Sequence, residues 1–260
     1  IKIILECYSI KYDSLMPELD KSISMMLFRS KNLNHPDGKI AFFNDSTFNM
    51  SKNYSDIKLL MEKNSILLKE IETESENFFS KTIDNLFFIL NISSIGGSYQ
   101  PGHSHADNLS FEFSYKRKRL FVNTGISTYE PGEKRKYQRS SIAHNMLTFD
   151  EKNTSEVWSN FRVARRVSTI YKIIENNETK LSIEGGYSDL NGNKAARKFI
   201  FSDQKLIIED TAYSPSISYS YFHLHPSITI TKMQDGVINF QKKESNLIAS
   251  LTHIPTKRSK

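Results

Sequence analysis

The sequence predicts a mainly β protein, a large antiparallel β-sandwich that follows the end of a helical domain. Three observations carry this. Short strand-like runs recur from Phe78 onward, Gly, Asn, Asp and Pro separate many of them, and helical periodicity is confined to the residues before about 76.

The first helix is predicted by Met16, Leu19, Ile23, Met26 and Leu27, which recur at three- and four-residue steps behind Ser14 as a candidate cap and Pro17 in the first turn. Asn34-His35-Pro36-Asp37-Gly38 stops it with turn chemistry. A second helical pattern runs through Ile57, Leu60, Met61, Leu67, Leu68 and Ile71, interrupted by Asn64. The two bury little by themselves and read as the end of a helical domain. Residues 1–75 are assigned to it and residues 76–260 to the sandwich.

In the sandwich, Leu109, Phe111, Phe113 and Tyr115 alternate with Ser110, Glu112 and Ser114, which predicts a half-buried strand. Further strands are expected at 86–92, 119–123, 145–149, 167–174, 179–185, 198–201, 205–210, 218–225 and 227–232. No fixed-period repeat or low-complexity tract interrupts them.

Composition narrows the classes. In 260 residues, 38% apolar and 12% aromatic content excludes wholesale disorder. The single cysteine, Cys7, excludes an intramolecular disulfide framework. No run of 18 apolar residues is present, so no membrane span is expected. The chain begins at Ile1, so it reads as a fragment or a processed form, with no signal segment visible.

The net charge of +6 is concentrated. Between Tyr115 and Arg139, eight basic residues face only Glu130 and Glu133. A positive field of this kind suits a polyanion, and Lys116–Arg119 alone also reads as a solvated hairpin tip. Nucleic acid fits poorly, because no stacking platform is interleaved with the basic residues.

The chemistry-bearing cluster is Gly102-His103-Ser104-His105-Ala106-Asp107, followed by Ala143-His144-Asn145. In strand geometry His103 and His105 share a face, although Pro101-Gly102 indicates a loop. Two imidazoles so close can ligate one metal, or divide ligation and proton chemistry, or be structural. Asp107 is a ready acceptor for a ligand imidazole's free N–H. Asn123 ends the next strand and His144 precedes another apolar run, so both can converge on the same point.

With these residues in view, the chain resembles the C-terminal part of the heparinase II/III-like polysaccharide lyases. The resemblance rests on the run from Gly102 to Glu112, on Val122-Asn123-Thr124-Gly125 with Tyr129 and Pro131-Gly132, and on Arg139 through His144-Asn145. Pro36 to Asp45 and Phe222-His223-Leu224-His225-Pro226 are similar to flanking parts of the family. It implies the last helices of an incomplete (α/α) toroid, an antiparallel sandwich, and β-elimination of uronate-containing acidic polysaccharides without an organic cofactor. It implies His103 and Tyr129 as catalytic candidates at the cleft and Arg139 as substrate-binding. It also implies His105, Asn123 and His144 as the set for a structural Zn²⁺, with Asp107 behind it. Asn123 departs from the pattern, since the family commonly has an aspartate there and an amide is a weaker ligand. Such lyases are periplasmic or secreted.

Their principal catalytic residues usually come from earlier helices, so a fragment holding only this part is expected to have little activity. Tyr8 and Tyr12 carry no mark of catalysis. His223 and His225 read as a packed aromatic face with Tyr219 and Tyr221, His35 as a turn residue, His253 as part of a basic tail. Trp158 resembles a family position at a cleft-side loop, with core packing as its default. Two other classes compete. A cupin-type metalloenzyme also opens with His-x-His, but Glu112 lies seven residues past His105, too far for that pattern. A non-catalytic acidic-glycan-binding module would need only the basic hairpin.

Overall fold

The computed structural model describes residues 15–64, 66, 77–97, 99–202, 205–234, 237–242 and 248–252. Tyr8, Tyr12, Ser14, His253 and the expected boundary near residue 76 lie outside the described residues. The chain divides into two compact units, one ending at His223 and one beginning at Leu224.

Two helices open the first unit: α1 (Met16–Asn32), with Pro17 at its start, and α2 (Tyr54–Lys63), with an Asn53–Asp56 capping box. Two antiparallel four-stranded sheets follow. One is the meander β1 (Phe78–Ile83), β2 (Leu86–Asn91), β3 (Phe111–Tyr115) and β4 (Lys118–Phe121). The other joins β8 (Thr169–Asn176), β9 (Lys180–Ser188), β10 (Lys194–Ser202) and β11 (Lys205–Tyr213). Between them, in chain order, come helix α3 (Glu133–Gln138), β5 (Leu147–Phe149), and the hairpin of β6 (Val157–Trp158) and β7 (Arg162–Val163). β12 (Ser218–Ser220) pairs with β5. The second unit holds one antiparallel sheet, β13 (Ile228–Gln234), β14 (Val237–Lys242) and β15 (Ile248–Thr252).

The sandwich expectation is met, and its core is phenylalanine. Phe88 of β2 lies 5.3 Å from Phe199 of β10, and Phe111 of β3 lies 5.8 Å from the same ring. These contacts pack the two four-stranded sheets face to face. The turn before β3 comes close to β9 at Gly185, whose missing side chain leaves room for Leu109, a buried residue held at φ 55°.

One expectation is corrected. The strand Phe111–Tyr115 is not half-buried: Ser110, Glu112 and Ser114, its polar face, are fully enclosed. The reason is a strap, residues 33–46, laid across the outer face of the first sheet. Ala41 and Phe43 of the strap pack with Phe87 and Ile89, so β2 is buried on both faces and reads as an unbroken apolar run. His35, expected as an ordinary turn residue, bonds Ser114 Oγ at 2.6 Å and Glu112 Oε2 at 2.7 Å. Glu112 Oε1 accepts the backbone N–H groups of both Phe42 and Asn123. Arg119 clasps Asp37 through two hydrogen bonds of 2.9 and 3.1 Å. Gly125 completes the seam: at φ +56° it lies against the strap, and a β-carbon there would collide with the Ser46 carbonyl.

Candidate functional site

The strap delivers the residue that organises the site. Asp45 accepts from His103 Nδ1 and from His105 Nε2, each at 2.8 Å, and from both terminal nitrogens of Arg135. Burial acts to raise its carboxyl, but hydrogen bonds from His105 and Arg135 outweigh it and hold the group at about 2. Asp45 is therefore a carboxylate at neutral pH and only accepts. That fixes both tautomers: His103 carries its proton on Nδ1 and His105 on Nε2.

His103 and His105 thus meet at one carboxylate from a loop, before β3 begins, and they divide there. The His105 side chain is fully buried, whereas that of His103 is 55% exposed with Nε2 unencumbered. Tyr129 stands beside His103, ring centroids 5.9 Å apart, with its hydroxyl shifted upward by partial burial and by the Asp45 charge. The two catalytic candidates are together.

His105 Nδ1 faces His144 Nε2 at 3.3 Å. Burial keeps both rings neutral, and with the His105 proton on Nε2 its Nδ1 is the acceptor of the pair. Two zinc–nitrogen bonds at a tetrahedral angle also place their nitrogens roughly 3.3 Å apart, so this pair matches two corners of a zinc site. The third corner does not fit. Asn123 Oδ1 accepts the Asn145 N–H at 3.0 Å, and the buried free end is Nδ2, a donor that repels a cation. Among the described residues no group of three or more His, Cys, Asp or Glu side chains is placed to hold a metal ion.

Two expectations are revised. Asp107 does not receive a histidine N–H, because Asp45 already holds His105. It takes a 3.4 Å bond from Ser110 Oγ, and burial pushes its carboxyl up to about 7. Arg139 is not free for a substrate carboxylate: it is 1% exposed and donates to the backbone carbonyls of Ser104, Trp158, Ser159 and Arg162. Three of these carbonyls, those of Trp158, Ser159 and Arg162, lie at and around the β6–β7 turn, where backbone acceptors need donors.

The basic stretch is also less of a surface than its composition suggests, since Arg119, Arg135 and Arg139 are all internal. Trp158 is 47% exposed and not part of the core. Tyr221 and His223 stack with ring planes 6° apart, as a packed aromatic face requires, although Tyr219 beside them stays 39% exposed. Asp45 was missed as a site residue because its role depends on a fold-back from 58 and 60 residues away. Its only local signal is its place at the end of the Pro36–Asp45 segment.

The model of the family described as heparinase II/III-like, C-terminal, matches residues 76–255. The chain belongs to the heparinase II/III-like family. Solved structures of similar fold agree. A structure titled heparinase III shares 14% identity over 90% of this chain and 40% of its own, with a TM-score of 0.59. The heparan sulfate lyase HepC from Pedobacter heparinus shares 15% identity over 83% of this chain and 38% of its own, with a TM-score of 0.58. A heparinase III gene product is 16% identical, covering 86% of this chain and 39% of its own, with a TM-score of 0.59. The chain therefore spans about two-fifths of the length of these heparinase structures. No curated protein matches the sequence.

Proposed function

We propose that this chain forms the sandwich wall of a polysaccharide lyase that cleaves uronate-containing acidic glycans by β-elimination. The observation that carries the proposal is the Asp45–His103 pair. An exposed imidazole is oriented through Nδ1 by a buried carboxylate, leaving Nε2 beside Tyr129 to move a proton. In the reaction the C5 proton leaves to a base, the bond from C4 to the glycosidic oxygen breaks, and that oxygen takes a proton. An unsaturated uronate remains. His103 and Tyr129 share the acid–base work; Arg135 and Asp45 hold them in place. Neutralisation of the uronate carboxylate falls to residues outside this wall.

Zinc takes no step in this scheme, and we propose that His105 and His144 work as a hydrogen-bonded pair that braces the motif. Among the described residues no helix is long and apolar enough to cross a membrane. An extracellular or periplasmic setting accords with a polymeric substrate. The second reading is a module that holds an acidic glycan without cleaving it, and the two-fifths coverage favours it for the chain in isolation.

The test is the ultraviolet absorbance of unsaturated product, followed over a panel of acidic polysaccharides with the protein carrying this chain. His103→Ala should lower kcat by about 10²- to 10⁴-fold. Turnover equal to wild type would remove His103 from the chemistry.

A further inference from the structure

The β6–β7 hairpin is held in an unusual way. Arg139 donates to the carbonyls of Trp158, Ser159 and Arg162, and Arg135 donates twice to that of Asn160, at 3.1 and 2.8 Å. Both arginines are 1% exposed. Asn160 Nδ2 donates to the Tyr129 carbonyl at 2.7 Å, tying the tip to the loop that carries the tyrosine. Gly102 admits the hairpin from the other side, since a β-carbon there would stand 3.3 Å from the Phe161 carbonyl oxygen. Two buried guanidiniums thus fix the backbone of a turn whose own large side chain, Phe161, is left 44% exposed.

A phenylalanine left nearly half exposed forgoes part of its hydrophobic burial, and a clamped loop cannot fold it away. Its surroundings show what it is placed for. The Phe161 ring lies 5.4 Å from Tyr129 and 5.6 Å from His103, and the Arg135 guanidinium sits against both Phe161 and Tyr129 at 5.4 and 5.3 Å. Two partly exposed aromatic rings therefore meet on one cation, directly beside the half-exposed His103 imidazole.

We propose that Phe161, with Tyr129, forms a stacking subsite for one pyranose ring of an acidic glycan, holding it against His103. The chemistry matches on two counts. A pyranose has an apolar C–H face that buries area on an aromatic ring. Its hydroxyls lie at the rim, where the half-exposed His103 can receive them. The subsite rests on the acidic-glycan reading above and adds to it a residue that sets which ring is gripped and how.

The full chain has a single tryptophan, Trp158, on the same hairpin, so its fluorescence reports occupancy. The chain is titrated with a heparan sulfate hexasaccharide, an alginate hexasaccharide and a single-stranded DNA oligonucleotide, with circular dichroism as the check on folding. Phe161→Ala should weaken binding of the preferred hexasaccharide about tenfold or more, equivalent to roughly 1.4 kcal/mol. Phe161→Tyr, which keeps the ring, should stay within about twofold. If a hexasaccharide binds and Phe161→Ala binds it as tightly, the subsite is overturned while the glycan reading stands. If neither hexasaccharide binds, that reading fails and the subsite falls with it. DNA binding that depends on Phe161 would assign the rings to a nucleobase and overturn the sugar assignment.

Discussion

Asn123 shows how one atom decides what a buried pair of histidines can do. Its oxygen is committed to the Asn145 N–H and its buried nitrogen is a donor, so it offers a cation no carboxylate oxygen. Asn123→Asp would supply such an oxygen and a negative charge, while His105 and His144 already hold two nitrogens at the separation of zinc ligands. Elemental analysis after dialysis against zinc should find little metal on the wild type and close to one equivalent on the variant. Equal loading of both would show that the amide is an adequate ligand. The His103–His105 motif was legible in the sequence because it is local, and Asn123 and His144 joined it through the family resemblance. Asp45 was not, because a carboxylate 58 residues before His103 becomes its partner only once the strap is laid down. Arg139 was legible as a site residue but with the wrong partner: sequence shows a charge, and only the fold shows four carbonyls waiting for it.

At the scale of elements, the hairpin Val157–Val163 is a two-strand ribbon with only two ladder pairs, Val157–Val163 and Trp158–Arg162. Such a ribbon is marginal alone and depends on the guanidiniums beneath it. Arg139→Lys keeps the charge but cannot reach several carbonyls at once, because an ammonium lacks the planar fork. Hydrogen exchange should then speed up at the amides of 157–163 while the β9–β10 amides stay protected. Unchanged protection in the hairpin would mean that Arg135 and Gly102 suffice. Short strand-like runs bounded by turn residues revealed most strands from β2 to β13, because those runs are long enough to stand out between Gly, Asn, Asp and Pro. The same signal missed this hairpin, whose strands of two residues are too short to show it. It also misjudged β3, because a polar strand face looks solvent-exposed until something polar covers it.

Over the whole first unit, buried ion pairs link elements that the phenylalanine core alone would not orient. Arg197 bonds Asp210 on the neighbouring strand and also the carbonyls of Leu109 and Asn145, so it joins the second sheet to both histidine loops. Burial works to raise Asp210, but the Arg197 charge and hydrogen bonds prevail and its carboxyl lies below the usual range. A depressed folded-state value means stability that is fully present above the ordinary carboxylate range and lost as pH falls through the folded value. Urea midpoints should therefore fall on acidification, and Asp210→Asn should flatten part of that acid limb. An acid limb identical to wild type would assign the loss to other carboxylates.

The strap has a practical consequence for anyone cloning this region. The family match begins at residue 76, which invites expression from there. Such a piece would discard His35, Asp37, Ala41, Phe43 and Asp45 together. It would uncover Phe87 and Ile89 and deprive Glu112, Arg119 and Arg135 of the strap residues that pair with them. A clone opening at Met16 should yield soluble protein on gel filtration, whereas one opening at Asn77 should aggregate. A monodisperse product from the shorter clone would show that the sandwich can close its outer face unaided.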